Sequence, residues 1–307
     1  MTTGLSTVIS AVAAVLAGLC IATGGVLQQR AASKRPSGER MSAQLMRSLV
    51  SDKTWLMGIG AAVLSYGFQA VALSFGPLTL VQPLVVSELL FAVPVSVRLR
   101  DLRLRGRDWV AVGSVVAGLA IGIVAADPKA GNPIEPIVTW APALGGVFLL
   151  VAASVVTAKR VDGPAKASAF ALAGACTMGL QSALYAATLA YLRKDLWGVF
   201  LHWETYALVV ASLIGMFLIQ NAFQSGPLAA STPLTDSVLP LVAIALGVGL
   251  FGESIRTSWW GLCGATVGLA LLMVGIIALD TSPVVRKEQR LEQEEQQRTA
   301  ERENRHG

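Results

Sequence analysis

The 307-residue sequence is 54% apolar, carries charge on only 14% of its residues and has a mean hydropathy of +0.61, where soluble domains carry about 25% charged residues. Its net charge of +5 could suit a nucleic acid, but the basic residues are spread between apolar runs rather than gathered in one patch, so no nucleic-acid partner is expected. The composition points to an all-α integral membrane protein whose partner is the lipid bilayer.

Nine apolar runs are long enough to cross a bilayer, at residues 5–27, 54–75, 78–98, 108–126, 138–158, 168–191, 204–224, 227–251 and 258–279. The first is preceded by Met1-Thr2-Thr3-Gly4, with no basic n-region, so it is expected to be kept as a span rather than removed as a signal peptide. Spans two and three meet at Phe75-Gly76-Pro77, and spans seven and eight at Ser225-Gly226-Pro227. In each, proline ends the preceding helix and suits the first turn of the next. Cys20, Cys176 and Cys263 lie inside runs and form no Cys-x-x-Cys pair, so they read as small packing residues rather than disulfide or zinc ligands. Trp109, Trp259 and Trp260 start spans and read as interface anchors.

Twenty of the 24 lysines and arginines fall on one side of a nine-span layout. They lie in the loops after spans one, three and five and in the tail, which places the N-terminus outside and the C-terminus in the cytoplasm of a multi-pass cell-membrane protein. From Pro283 onward the chain is rich in Glu, Gln and Arg and reads as a solvated cytoplasmic extension.

A shift of 150 residues sets Gly76-Pro77-Leu78 on Gly226-Pro227-Leu228, Pro83-Leu84 on Pro233-Leu234, Trp109 on Trp259 and Gly118-Leu119-Ala120 on Gly268-Leu269-Ala270. Twelve identities relate residues 76–125 to 226–275 without a gap. Equivalent spans lie five apart, so the halves enter the membrane in opposite senses, the inverted repeat of secondary transporters. The expected organisation is a first half at 1–127, a connector span at 128–163, a second half at 164–282 and a tail at 283–307. Gly118 and Gly122, like Gly264 and Gly268, form Gly-x-x-x-Gly pairs expected to pack helices within a half rather than between two copies, with a homodimer left open.

The pattern Gln69, Ala72, Leu73, Gly76, Pro77, Leu78, Val81, Pro83, Leu84, its echo in Gln220, Phe223, Gly226, Pro227, Leu228, Pro233, Leu234, and Phe251-Gly252-Glu253 followed by Trp259, Gly261, Gly264 and Gly268 resemble the drug/metabolite transporter superfamily. The ending of the second half is similar to the EamA type. Most members of that superfamily have ten spans, and a nine-span layout with an outside N-terminus is similar to the NIPA-type magnesium transporters. The first half shows arginine-rich sequence where the second has Gly252-Glu253.

Ionisable groups at bilayer depth mark functional sites by default. Glu88 stands near the middle of span three and Asp236 in the cytoplasmic half of span eight. Either suits a proton or cation site. Gln69, Gln82, Gln220, Asn221 and Thr232 are candidate lining residues, with carbonyls freed by helix breaks near Pro83 and Pro233. No span contains histidine, His-Glu-x-x-His and Walker A patterns are absent, and no enzyme, cofactor or ATP drive is expected. The expected function is alternating-access transport of a small solute, coupled to protons. Magnesium transport and a non-transporting structural role are the alternatives.

Overall fold

The computed structural model describes residues 3–33, 52–92, 106–226 and 228–281. They form helices α1 (Thr3–Ser33), α2 (Lys53–Phe75), α3 (Leu78–Val85), α4 (Gly106–Ala126), α5 (Ile137–Ala158), α6 (Gly163–Lys194), α7 (Trp203–Ser225), α8 (Leu228–Gly249) and α9 (Trp259–Asp280), with a 3₁₀ turn at Gly198–Leu201. Eight of these are long and apolar enough to cross a bilayer, and α3 is the exception. The chain is thus a multi-pass helical membrane protein. In hydrocarbon every backbone group must be satisfied within the segment, which a helix alone achieves for a single span.

Helix ends follow local chemistry. Asp52 caps α2, its Oδ1 accepting from Thr54 N at 2.8 Å and Trp55 N at 3.3 Å. Gly76 ends α2 in an extended conformation and Pro77 stands as N-cap of α3. Gly226 ends α7 in the same extended manner. Ser258 caps α9 through Gly261 N at 3.3 Å.

α6 is the hub. Its small residues, among them Ala173, Gly174, Ala183 and Ala187, are buried and let α5, α7 and α8 approach closely. α1 pairs with α2, α6 with α7, and α4 with α9. The connections α2–α3, α4–α5, α6–α7 and α8–α9 gather at one end of the bundle, here the upper end. Arg193 at the end of α6 donates to Ser74 O at 2.8 Å, and residues 126–132 pair with 251–256.

Three expectations change. The third span is an eight-residue helix, then a turn at Val86–Ser87, then a second helical stretch reaching Ala92. Pro83 costs α3 an N–H and the break follows three residues later. Pro233 has no such effect: α8 runs through both Pro233 and Pro240. The Gly-x-x-x-Gly pairs join helices of different halves. A Cβ on Gly118 would lie 2.5 Å from Leu272 N, and one on Gly264 2.5 Å from Ala125 Cβ. The smallest residues of α4 and α9 meet because only they let the two backbones touch. The basic loops at 34–51 and 93–105, Pro227 and the tail from 283 lie outside the described residues.

Candidate functional site

The upper end is built around the α8–α9 connection. Gly252 takes φ +64, a left-handed conformation that glycine adopts without a Cβ penalty. The chain turns back there, and Glu253 N donates to Gly247 O at 3.0 Å. Glu253, 6% exposed, then crosses to the start of α3. Leu78 N donates to its Oε1 at 2.6 Å and Thr79 N to its Oε2 at 2.8 Å. Pro77 offers α3 no side-chain cap, so a residue 175 positions away supplies one. Gly247 makes the room: a Cβ there would sit 2.5 Å from Glu253 Oε2. Carboxylates at helix N-termini are favoured by the exposed N–H groups and the helix dipole. Burial pushes the Glu253 carboxyl above its ordinary range, while the hydrogen bonds from Thr79 and Leu78 pull it back.

The flanking backbone is paired as well. Lys129 and Ser254 form an antiparallel bridge, with Lys129 N donating to Ser254 O at 2.9 Å and Ser254 N to Lys129 O at 3.2 Å. Asn132 N donates to Phe251 O at 2.8 Å and Arg256 N to Ala126 O at 2.7 Å. Arg256 and Asp127 add an exposed ion pair at 3.1 Å, of little energetic weight. Phe251 anchors this loop in the core, edge-on to the fully buried Trp140 at 5.8 Å between ring centres, and Trp140 stands edge-on to Trp203 at 5.3 Å.

A cavity of about 250 Å³ lies between α3, α4, α8 and α9. Thr79 and Pro83 line it from α3, Gly118 and Leu119 from α4, and Pro128 and Ile255 from the two paired loops. A smaller cavity of about 80 Å³ is shared by Arg193 and Glu253.

The candidate residues divide between interior and surface. Gln82 is 4% exposed and Thr79 7%. Glu88, Asp236 and Thr232 are half-buried, with Glu88 opening the helical stretch after the Val86–Ser87 turn. Gln69 is half-buried on α2 and Gln220 is exposed on α7. Asn221 donates to Phe217 O of its own helix at 2.7 Å. The α7 pair is thus not brought together with Gln82.

Sequence reasoning passed over three buried acids, Asp108, Glu204 and Glu253, at 1%, 1% and 6% exposure. Asp108 and Glu204 sit in the first turns of α4 and α7, and Glu253 on the first turn of α3 in space. Helix-start positions are the available signal for the first two. Glu253 carried a signal in the Gly252-Glu253 pair, but not its partner.

No family model and no solved structure matches the chain. Along 285 residues it is 31% identical to an uncharacterized protein of Corynebacterium glutamicum, covering 89% of this chain and 95% of that protein. The chain belongs to the family of that Corynebacterium protein.

Proposed function

We propose that the chain is a secondary transporter of the drug/metabolite type, carrying a small organic solute by alternating access between inverted halves, with proton coupling. The observation that carries this reading is the α4–α9 crossing. A Cβ on Gly118 would lie 2.7 Å from Gly268 O, and these are residues that the 150-residue shift equates. Helices related by a two-fold axis in the membrane plane must cross at equivalent residues. Two further contacts agree. Gly76 packs on Ser10 of α1, and its equivalent Gly226 packs on Gly163 and Ala167 of α6, as span one and span six would require. The equivalent helices α3 and α8 also touch.

The helix ends support the nine-crossing reading. Leu78 is at the upper end, held by Glu253, and α4 ends there too, at Ala126. α4 therefore starts at the lower end, opposite to Leu78. The charge asymmetry assigns the upper end to the outside of the cell membrane.

Thr79 faces Gly247 across the α3–α8 contact. Glu88 lies nine residues from Thr79 and Asp236 eleven from Gly247. α8 is continuous from Gly247 to Asp236, and the chain from Thr79 to Glu88 is helical on both sides of the Val86–Ser87 turn. We place the two acids at a similar depth near the midplane, where a coupling site belongs in an inverted repeat. Flux in proteoliposomes tests the reading. Glu88→Gln is expected to abolish proton-coupled uptake, and Asp236→Asn to flatten its pH dependence. Unchanged flux and pH dependence in both would remove the acids from the mechanism. Growth rescue of a magnesium-requiring strain would redirect the substrate class to Mg²⁺.

A further inference from the structure

We propose that Glu253 is the latch of a gate at the upper end, and that the bundle opens there only when its carboxylate leaves the N-terminus of α3. The inference rests on the transporter reading, since a gate presupposes a path. Among the described residues, the bonds across the upper end join the second half to the first half or to the start of the connector. The Lys129–Ser254 pair, Asn132 N to Phe251 O, and Arg256 N to Ala126 O tie one loop to the other through backbone. Glu253 is the side chain that adds the third partner, α3, through two N–H groups. Those groups are among the first of a helix and have no intrahelical acceptor. Losing the carboxylate leaves both without a partner in a buried position, so the closed end loses its tie to α3 at a cost.

The device is one-sided. The 150-residue shift sets Arg103 opposite Glu253, so the register puts no carboxylate at the equivalent position. The latch therefore favours the state closed at the upper end. Directly beneath it, Pro128 and Ile255 of the paired loops line the cavity that reaches Leu119 on α4. Separating the loops is the opening that would admit water from above to Leu119.

The test needs no substrate. Cys20, Cys176 and Cys263 are replaced by alanine and Leu119→Cys is introduced as reporter. Labelling by a charged, membrane-impermeant thiol reagent then reads the open fraction. Glu253→Ala is expected to speed labelling about tenfold, in line with losing a charged hydrogen-bond pair, and Glu253→Gln, which keeps one acceptor, by less. Equal rates in the three proteins overturn the proposal. In a second protein that keeps Glu253, Lys129→Cys and Ser254→Cys are joined by oxidation across their bridge. Labelling at position 119, located by peptide mapping, is expected to fall to background and to recover on reduction. Oxidised protein that labels as fast as reduced protein also overturns it. A chain that moves no solute in flux assays but shows both effects keeps the latch and loses the transporter reading.

Discussion

At the residue scale, the Glu253 carboxyl is held between two opposed influences. Burial disfavours its charge, the N–H groups of Leu78 and Thr79 favour it, and burial is the larger. The latched state therefore binds the proton more tightly than a released, solvated Glu253 with an ordinary value of about 4.3. By linkage, acid favours the latched state, and that advantage is lost as pH rises through the raised value. The charged groups facing it are Arg193, which shares its small cavity, and Lys129, Asp127 and Arg256 in the paired loops. The labelling rate of Leu119→Cys divided by that of the same protein carrying Glu253→Gln, a ratio that cancels the thiolate fraction, should thus be larger at pH 7.5 than at pH 5. A slope of opposite sign would mean that the hydrogen bonds outweigh burial. None of this was legible in the sequence, where Gly252-Glu253 is a loop dipeptide. Its role depends on a partner 175 residues away and on the space left by Gly247. Glu88 and Asp236 stand out in the sequence as acids within apolar runs because hydropathy alone exposes them.

At the scale of the element, the helices were readable and their breaks were not. Apolar runs and Gly-Pro punctuation set α1, α2 and α4–α9 within a few residues. Proline alone did not say which helix would break. Pro83 precedes a turn and Pro233 does not, because neighbouring helices decide whether a freed carbonyl finds a partner. The glycine pairs were recognised as contact surfaces but assigned to the wrong partners. Spacing within one helix carries no information on which other helix it meets. The α4–α9 contact gives a sharp contrast. A Cβ on Gly118 would press on Leu272 N, while one on Gly122 would meet nothing nearer than 3.7 Å, at Gly268 Cα. Gly118→Ala should destabilise by about 1–3 kcal/mol, the usual range for overpacking, and Gly122→Ala should be close to neutral. Thermal unfolding in detergent compares them. Equal melting temperatures would mean that the helices slide apart at no cost.

At the scale of the molecule, the number of crossings decides the function class, because only an odd separation of equivalent spans inverts the halves. Hydropathy of the described helices gives eight. The ninth depends on α3, which is too short by itself and is followed by a described helical stretch to Ala92. Eight crossings would leave both termini on one side, whereas nine put them on opposite sides. The charge split further specifies which side is which. Lys129 and Lys159 are exposed at opposite ends of α5, which gives an internal control independent of the termini. In a background without the native cysteines, Lys129→Cys should be labelled by an impermeant reagent in intact cells. Lys159→Cys should be labelled only after permeabilisation. A protease added outside should remove an N-terminal tag and spare a C-terminal one. Reversed labelling with tags still on opposite sides would invert the orientation and keep the repeat. Tags on the same side would make α3 a re-entrant segment, set α2 and α7 in the same sense while leaving α4 and α9 opposed, and end the inverted-repeat argument. The α4–α9 contacts bear on the second part of the chain, independently of α3. Gly264 meets Ala125 near the upper end while Gly275 meets Val115 further down, so residue numbers rise along one helix as they fall along the other. Antiparallel packing of this kind requires an odd number of crossings from α4 through α8, and the chain between them supplies five only if each helix spans.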